Sequence, residues 1–174
     1  MAITINGTTS VVGLKSDTNN VGLGSTTLDS ITTGDYNVGL GDNALTANTT
    51  GADNTAVGYN ALAANTTGAR NIAIGNNAND LADTEDDNIA IGYNVMTAQI
   101  AGASQNIAVG SYSLDALTSG DGNVAVGHNA LTANTTGELN VSVGYQSLEA
   151  NTTAANCTAV GAKALKANTT GTGN

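Results

Sequence analysis

The chain has no proline, no tryptophan and no phenylalanine, and only five of its 174 residues are tyrosine. Aromatic side chains supply much of the buried area of an ordinary globular core. Their scarcity excludes a broad core and leaves a narrow interior of Val, Ile, Leu and Ala. Cys157 is the only cysteine, which excludes a disulfide framework within one chain. It reads as a small residue at a turn position that Asn holds elsewhere. Only Lys15, Arg70, Lys163 and Lys166 are positive, against fourteen acidic residues and a net charge of −10. Phosphate recognition needs clustered basic side chains, and so does docking on anionic lipid. Nucleic acid and anionic membrane surfaces are therefore not expected partners. No run approaches the ~18 apolar residues of a membrane helix, so membrane insertion is not expected either. The opening MAITINGTTS has neither the basic nor the apolar stretch of a secretory leader. The chain is expected to be made in a cytoplasm and assembled there.

What is present is a repeat. A glycine closing the phrase N-x-A-V-G falls at Gly24, Gly41, Gly58, Gly75, Gly92, Gly110, Gly127, Gly144 and Gly161. Each step is 17 residues, except that Gly92 to Gly110 is 18. A fixed period of this length means stacked structural units, each burying its apolar face on the next.

The columns of the repeat define its local structure. Branched residues stand three and one positions before the anchor glycine, as in Val38 and Leu40 or Ile72 and Ile74. Between them is a tiny residue, Gly39 or Ala73 in those units. Branched residues at two-residue spacing predict a β-strand, with the branched pair on one face and the tiny residue on the other. Neither face is polar, and a strand apolar on both sides is usually covered on both. Four positions after the glycine stands a large residue, usually Leu: Leu28, Leu45, Leu62, Asn79, Met96, Leu114, Leu131, Leu148 and Leu165. With the Ala that mostly precedes it, this is the second buried contact, in a short strand or an irregular corner. The unit closes with N-T-T-G, as in Asn48 to Gly51. The closing glycines, Gly34, Gly51, Gly68, Gly102, Gly120, Gly137 and Gly171, are expected to supply positive φ at a corner. Asn20, Asn37, Asn54, Asn71, Asn88, Asn106, Asn123 and Asn140 open the next strand, where Asn tolerates left-handed backbone and stacked Asn can form side-chain ladders.

The expected fold is all-β: a parallel β-roll, or β-solenoid, of 17-residue repeats. Residues 20–174 form a nine-coil shaft of roughly 40 Å, open-ended at Asn174, with residues 1–19 a cap or attachment segment. One coil has only about three large apolar positions. Its second segment shields one strand face, and the other face calls for another subunit. A homotrimer, intertwined or side by side, is the expected assembly.

The phrases NIAIG (Asn71 to Gly75 and Asn88 to Gly92) and NVAVG (Asn123 to Gly127) resemble the A-V-A-I-G repeats of trimeric autotransporter adhesin heads. The longer NTAVGYNALAANTTG (Asn54 to Gly68) is similar to repeats of bacteriophage tail fibres. The resemblance covers Asn20 to Asn174. It implies a left-handed parallel β-roll and a trimeric shaft. Many such fibres carry a C-terminal chaperone domain, which this sequence does not contain. Because Asn174 occupies the first position of a tenth unit, a further segment or another protein is expected to cover that end.

Two features depart from a uniform shaft. Asn76 to Asp87 is acidic, with Asp80, Asp83, Glu85, Asp86 and Asp87 close together, and the next unit carries the extra residue in AQIAGASQ, Ala98 to Gln105. Clustered carboxylates can hold Ca²⁺, but the spacing fits neither the EF-hand nor the β-roll calcium motif, and a solvated corner is the simpler reading. With Tyr93, these five acidic residues are the sequence's candidate receptor contact, since irregular corners carry recognition more often than regular scaffold. Tyr59, Tyr93, His128 and Tyr145 all follow an anchor glycine. Exposed tyrosines can stack on sugars, or their rings can fill a half-buried subunit seam. N-T-T also matches a glycosylation acceptor at Asn48, Asn65, Asn134, Asn151 and Asn168, although without a leader it reads as corner chemistry. His128 is the only histidine, and no motif around it suggests a triad or a metal set. No catalytic residue, cofactor or metal is assigned.

The expected function is that of a non-enzymatic structural fibre protein of a phage virion, joined to other virion proteins. Its role would be recognition of a glycan or protein on the host surface. The alternative is the head module of a trimeric adhesin on a bacterial surface.

Overall fold

A computed structural model describes residues 12–15, 19–98 and 102–174 of the chain. Among them there is no helix, and hence none able to cross a membrane. Ten strands form one sheet in sequential order: β1 (Val12–Lys15), β2 (Asn20–Leu23), β3 (Val38–Leu40), β4 (Thr55–Val57), β5 (Ile72–Ile74), β6 (Ile89–Ile91), β7 (Ile107–Val109), β8 (Val124–Val126), β9 (Val141–Val143) and β10 (Thr158–Val160). From β2 onward neighbours pair in parallel. The fold is a parallel β-solenoid with one short strand per turn of 17 residues. Pairing keeps each sequence column in line: Val38 opposes Thr55, Gly39 opposes Ala56 and Leu40 opposes Val57. Antiparallel β1 covers the free edge of β2, a usual way of blunting an edge strand. Residues 1–11, with Ile3, Ile5 and Val11 of the expected cap, lie outside the described residues.

Each strand ends at its anchor glycine for two reasons. Gly58 has φ +136, a region in which L side chains are strained. A Cβ there would also stand 2.6 Å from the Gly75 carbonyl carbon in the next coil. The stacking distance itself therefore demands glycine.

The A-L segment is a corner, not a second strand. It consists of successive turns, and the large residue sits in left-handed backbone, as at Leu45 (φ 52), Leu62 (φ 51) and Leu131 (φ 52). Such a conformation costs a non-glycine residue about 1 kcal/mol. Burial of the leucine contributes about 1.5–3 kcal/mol and offsets it. Axial backbone bonds fix the conformation: the Leu45 N–H donates to the Ala61 carbonyl at 3.1 Å, and Leu62 to Ala78 at 3.1 Å.

Two expectations about backbone are corrected. The closing glycines Gly34, Gly51, Gly68, Gly120, Gly137 and Gly171 are not left-handed. Close approach selects them instead: a Cβ on Gly51 would collide with the Gly68 carbonyl oxygen above it and with the Asn48 side chain. Nor are the strand-opening asparagines left-handed. The residue before them is, at Tyr36, Asp53, Arg70, Asp87, Gln105, Gly122 and Leu139, and Asn156 stands likewise before Cys157.

The opening asparagines form the expected ladder. Each side-chain oxygen accepts the backbone N–H of the asparagine one coil on, from Asn37 onto Asn20 at 2.7 Å to Asn140 onto Asn123 at 3.0 Å. Each Nδ2 donates to the carbonyl that closes its own coil, such as Gly34 for Asn20 at 2.7 Å. These asparagines are buried, so the ladder is a polar seam within the interior, satisfied at every rung as buried amides must be. Cys157 occupies the last such position, buried, with its N–H on Asn140 Oδ1 at 2.9 Å and its Sγ 3.2 Å from the Gly171 carbonyl oxygen.

The core lies between the tiny strand residue and the leucine column. Ala56, Ala73, Ala90, Ala108 and Ala125 are fully buried, as are Leu45, Leu62, Met96, Leu114, Leu131 and Leu148. The branched residues point the other way and are only partly covered by their own chain. In interior coils Ile74 is 38% and Ile107 36% exposed.

Candidate functional site

The acidic unit is tied into its neighbours residue by residue. In regular coils the Asn of N-T-T-G folds back on its own corner: Asn48 Oδ1 accepts the Gly51 N–H at 3.0 Å, and Nδ2 donates to the Gly51 carbonyl at 3.0 Å. Ala82 stands at that position in the acidic unit and can do neither. Glu85, nearly fully buried, takes over. Its Oε2 accepts the N–H groups of Asp83 at 2.7 Å and Thr84 at 2.9 Å, and Oε1 accepts that of Gly102 at 2.7 Å in the next coil. A carboxylate bonded by three backbone donors is a strongly charge-assisted corner brace.

Asp86 and Asp87 face the preceding coil. Arg70 Nε donates to Asp87 Oδ1 at 2.6 Å, and Arg70 Nη2 reaches Asp87 Oδ2 at 2.9 Å and Asp86 Oδ2 at 3.3 Å. The Ala69 N–H donates to Asp86 Oδ1 at 2.7 Å. The hydrogen bond from Arg70, reinforced by its charge, holds the Asp87 carboxyl below its usual range. Asp83 accepts from the Thr66 hydroxyl. Asp80 is the exception. Burial pushes its carboxyl above the usual range, with Asp115 adding to the effect, and its Oδ1 has no hydrogen-bond partner.

The structure does not gather the candidate receptor residues into one patch. Asp86 and Asp87 precede β6, whereas Tyr93 follows its anchor glycine at the strand's other end, and Asp80 lies on the corner beside the leucine column. Among the described residues no three His, Cys, Asp or Glu side chains converge as a metal-holding set. Arg70 was missed as the partner of Asp87. Counting one period back from Asp87 lands on it.

The extra residue also resolves. Asn88 Nδ2 donates to the Ala103 carbonyl at 2.8 Å, so Ala103, not Gly102, holds the closing position. Counting back from Gly110 finds it. Gly102, with φ +84, begins the described part of the irregular segment; residues 99–101 lie outside the described residues.

The N-T-T asparagines are corner residues. Asn48, Asn65, Asn134 and Asn151 are fully buried, and Asn134 and Asn151 repeat the Asn48 fold-back. The first threonine of the pair bonds along the axis, as in Thr49 Oγ1 to the Thr66 carbonyl at 3.0 Å and Thr135 to Thr152 at 3.0 Å.

Beside the sheet, one edge carries two side-chain ladders in succession. The first consists of amides: Asn43 Nδ2 to Asn60 Oδ1 at 2.9 Å, Asn60 to Asn77 at 3.3 Å and Asn77 to Asn94 at 3.1 Å. The second consists of rings. Tyr93 meets Tyr112 edge-on with centroids 5.6 Å apart, Tyr112 meets His128 edge-on at 5.8 Å, and His128 stacks on Tyr145 at 5.8 Å. Tyr112 was not singled out in the sequence because it stands one position later in its unit than the other rings. Tyr59 shares their column but makes no ring contact among the described residues.

The longest uniform surface is the outer face of the sheet. Its two columns run from Val21 and Leu23 to Thr158 and Val160, aliphatic at every position except Thr55 and Thr158. Pairing places each column in continuous axial contact: Ile72 on Ile89, Ile89 on Ile107, Ile107 on Val124. Comparison with protein-family models, with curated proteins and with solved structures finds no match to this chain.

Proposed function

We propose that this chain is a structural segment of a fibre, assembled as a homotrimer through the outer face of its sheet. It would work in a phage tail fibre or similar appendage that attaches the particle to its host. The observation that carries this reading is the outer aliphatic face, in register along all nine parallel strands and only partly covered by its own chain. A contiguous apolar surface of that length marks an interaction site, and a rod built of identical coils suits a lengthwise contact between identical rods. The phage assignment rests on the likeness of Asn54 to Gly68 to tail-fibre repeats. The A-V-A-I-G phrases favour the second reading, the head module of a trimeric adhesin displayed on a bacterial surface. In either setting the role is attachment without catalysis.

Native mass measurement on the purified chain tests the assembly. A species of three times the chain mass is expected, and a stable monomer at micromolar concentration overturns the proposal. A membrane-barrel segment downstream in the parent gene would decide for the adhesin.

A further inference from the structure

We infer that the ring ladder of Tyr93, Tyr112, His128 and Tyr145 is a binding strip for an uncharged glycan chain lying along the solenoid axis. The inference names a ligand class for the attachment role proposed above and draws its biological meaning from that reading.

The fold does not require rings here. The same position holds Ser25, Asp42, Asn76 and Ala162 in other coils, so a small or polar residue builds an equally good corner. Rings nevertheless occupy four successive coils in unbroken contact. Continuity is kept even where the column fails. The sixth coil has Ser111 after its glycine, and Tyr112 supplies the ring from the next position, in left-handed backbone with φ 60. Asn fills that left-handed position at Asn43, Asn60, Asn77, Asn94 and Asn129, as local backbone preference dictates. A tyrosine there runs against that preference, and its contacts with Tyr93 and His128 are what it gains.

Three of the four rings are open to solvent: Tyr93 is 47% and Tyr145 49% exposed, His128 is exposed as well, and Tyr112 between them is half-buried. Its chemistry fits a sugar. A pyranose presents a face of C–H groups that packs against the negative face of an aromatic ring. Its rim hydroxyls need hydrogen-bonding groups nearby, and Asn129 follows His128 directly in the chain, whereas the Gln146 amide beside Tyr145 is already bonded to Glu149 and Lys166. Neighbouring ring centroids lie 5.6, 5.8 and 5.8 Å apart, comparable to the length of one sugar in an extended chain, so consecutive sugars would meet consecutive rings. The net charge of −10 repels polyanions, so the matching glycan is uncharged.

Titration of the purified chain with the β-linked hexasaccharides of glucose, N-acetylglucosamine and mannose tests this. The readouts are calorimetry and the imidazole C–H resonances of His128, which are unique in the spectrum because the chain has one histidine. At least one sugar is expected to bind with a Kd of ~1 mM or tighter and to shift those resonances. Tyr93→Leu and Tyr145→Leu keep the bulk but lose the ring face, and each should weaken binding by about ten-fold. Tyr59→Leu, with no ring neighbour, should leave it within about two-fold. Circular dichroism establishes that each variant is folded. Absence of binding by all three sugars overturns the inference, as does binding indifferent to both ladder substitutions. Attachment of the unsubstituted chain to host cells is a separate readout. Its loss would overturn the attachment role, while the titration decides the ladder independently.

Discussion

The two faces of each strand have the same sequence neighbours and opposite surroundings. On β7, Ala108 points inward and is fully buried, whereas Ile107 points outward and is 36% exposed. The larger apolar side chain is thus the less covered one. The inner face is finished: the strand alanines and the leucine column are buried together in one core. The outer face, built from the residues best able to drive association, is left without a partner inside the chain. Substitution at adjacent positions separates the two. Ala108→Leu adds three carbons between Ala90, Ala125 and Leu114, and overpacking of this kind should cost about 3 kcal/mol. Ile107→Lys lets its head group reach water and should cost the isolated chain no more than about 1 kcal/mol. In an assembly the order reverses: Ala108→Leu leaves the outer surface unchanged, while Ile107→Lys puts a charge into the subunit contact. Denaturant titration measures the first pair of effects and native mass the second. Equal loss of stability from both substitutions would erase the distinction between the faces.

The inner face has one coil that breaks its own rule. Asn79 takes the place of leucine, fully buried between Leu62 and Met96, and neither its Oδ1 nor its Nδ2 has a partner. A buried amide left unpaired costs about 1–3 kcal/mol. Its φ of 51 matches that of the leucines in the column, so the backbone already suits leucine. Asn79→Leu should raise stability by about 2 kcal/mol, read as a higher denaturant midpoint with an unchanged slope. A lower midpoint would mean that Asn79 is satisfied by something the chain alone does not show.

The strands and their register were legible because branched residues at two-residue spacing suit a strand and little else, and a 17-residue period aligns Ile72 with Ile89 without ambiguity. The asparagine ladder was legible for the same reason. The left-handed corners were not. Leu45 and Leu131 adopt φ near +52 because axial bonds from the next coil impose it, and no local propensity of leucine announces it. The closing glycines misled in the opposite sense, being selected by the carbonyl above them and not by their own φ. In the candidate site, Glu85 looked like one acid among five. Its distinct role depends on Ala82, three residues back, having lost the corner asparagine. Tyr112 became part of a ladder only once left-handed backbone turned its ring toward the neighbouring column.

The smallest effect concerns a polar pair on the inner face. In the coil of β9, Ser142 and Ser147 replace the alanines found at Ala56 and Ala61 or Ala125 and Ala130, and both are buried. Their hydroxyls bond each other. Ser142 Oγ also reaches the Ser147 carbonyl at 2.8 Å, and Ser147 Oγ the Gly144 carbonyl at 3.1 Å. Removing one hydroxyl takes a partner from the other, so Ser142→Ala and Ser147→Ala should each cost about 0.5–1 kcal/mol. Removing both recreates the alanine pair that other coils already pack, and the double variant should lie within about 0.5 kcal/mol of the parent. A double variant as destabilised as the two singles added together would show that the hydroxyls act independently, and that this coil is not shaped like its neighbours.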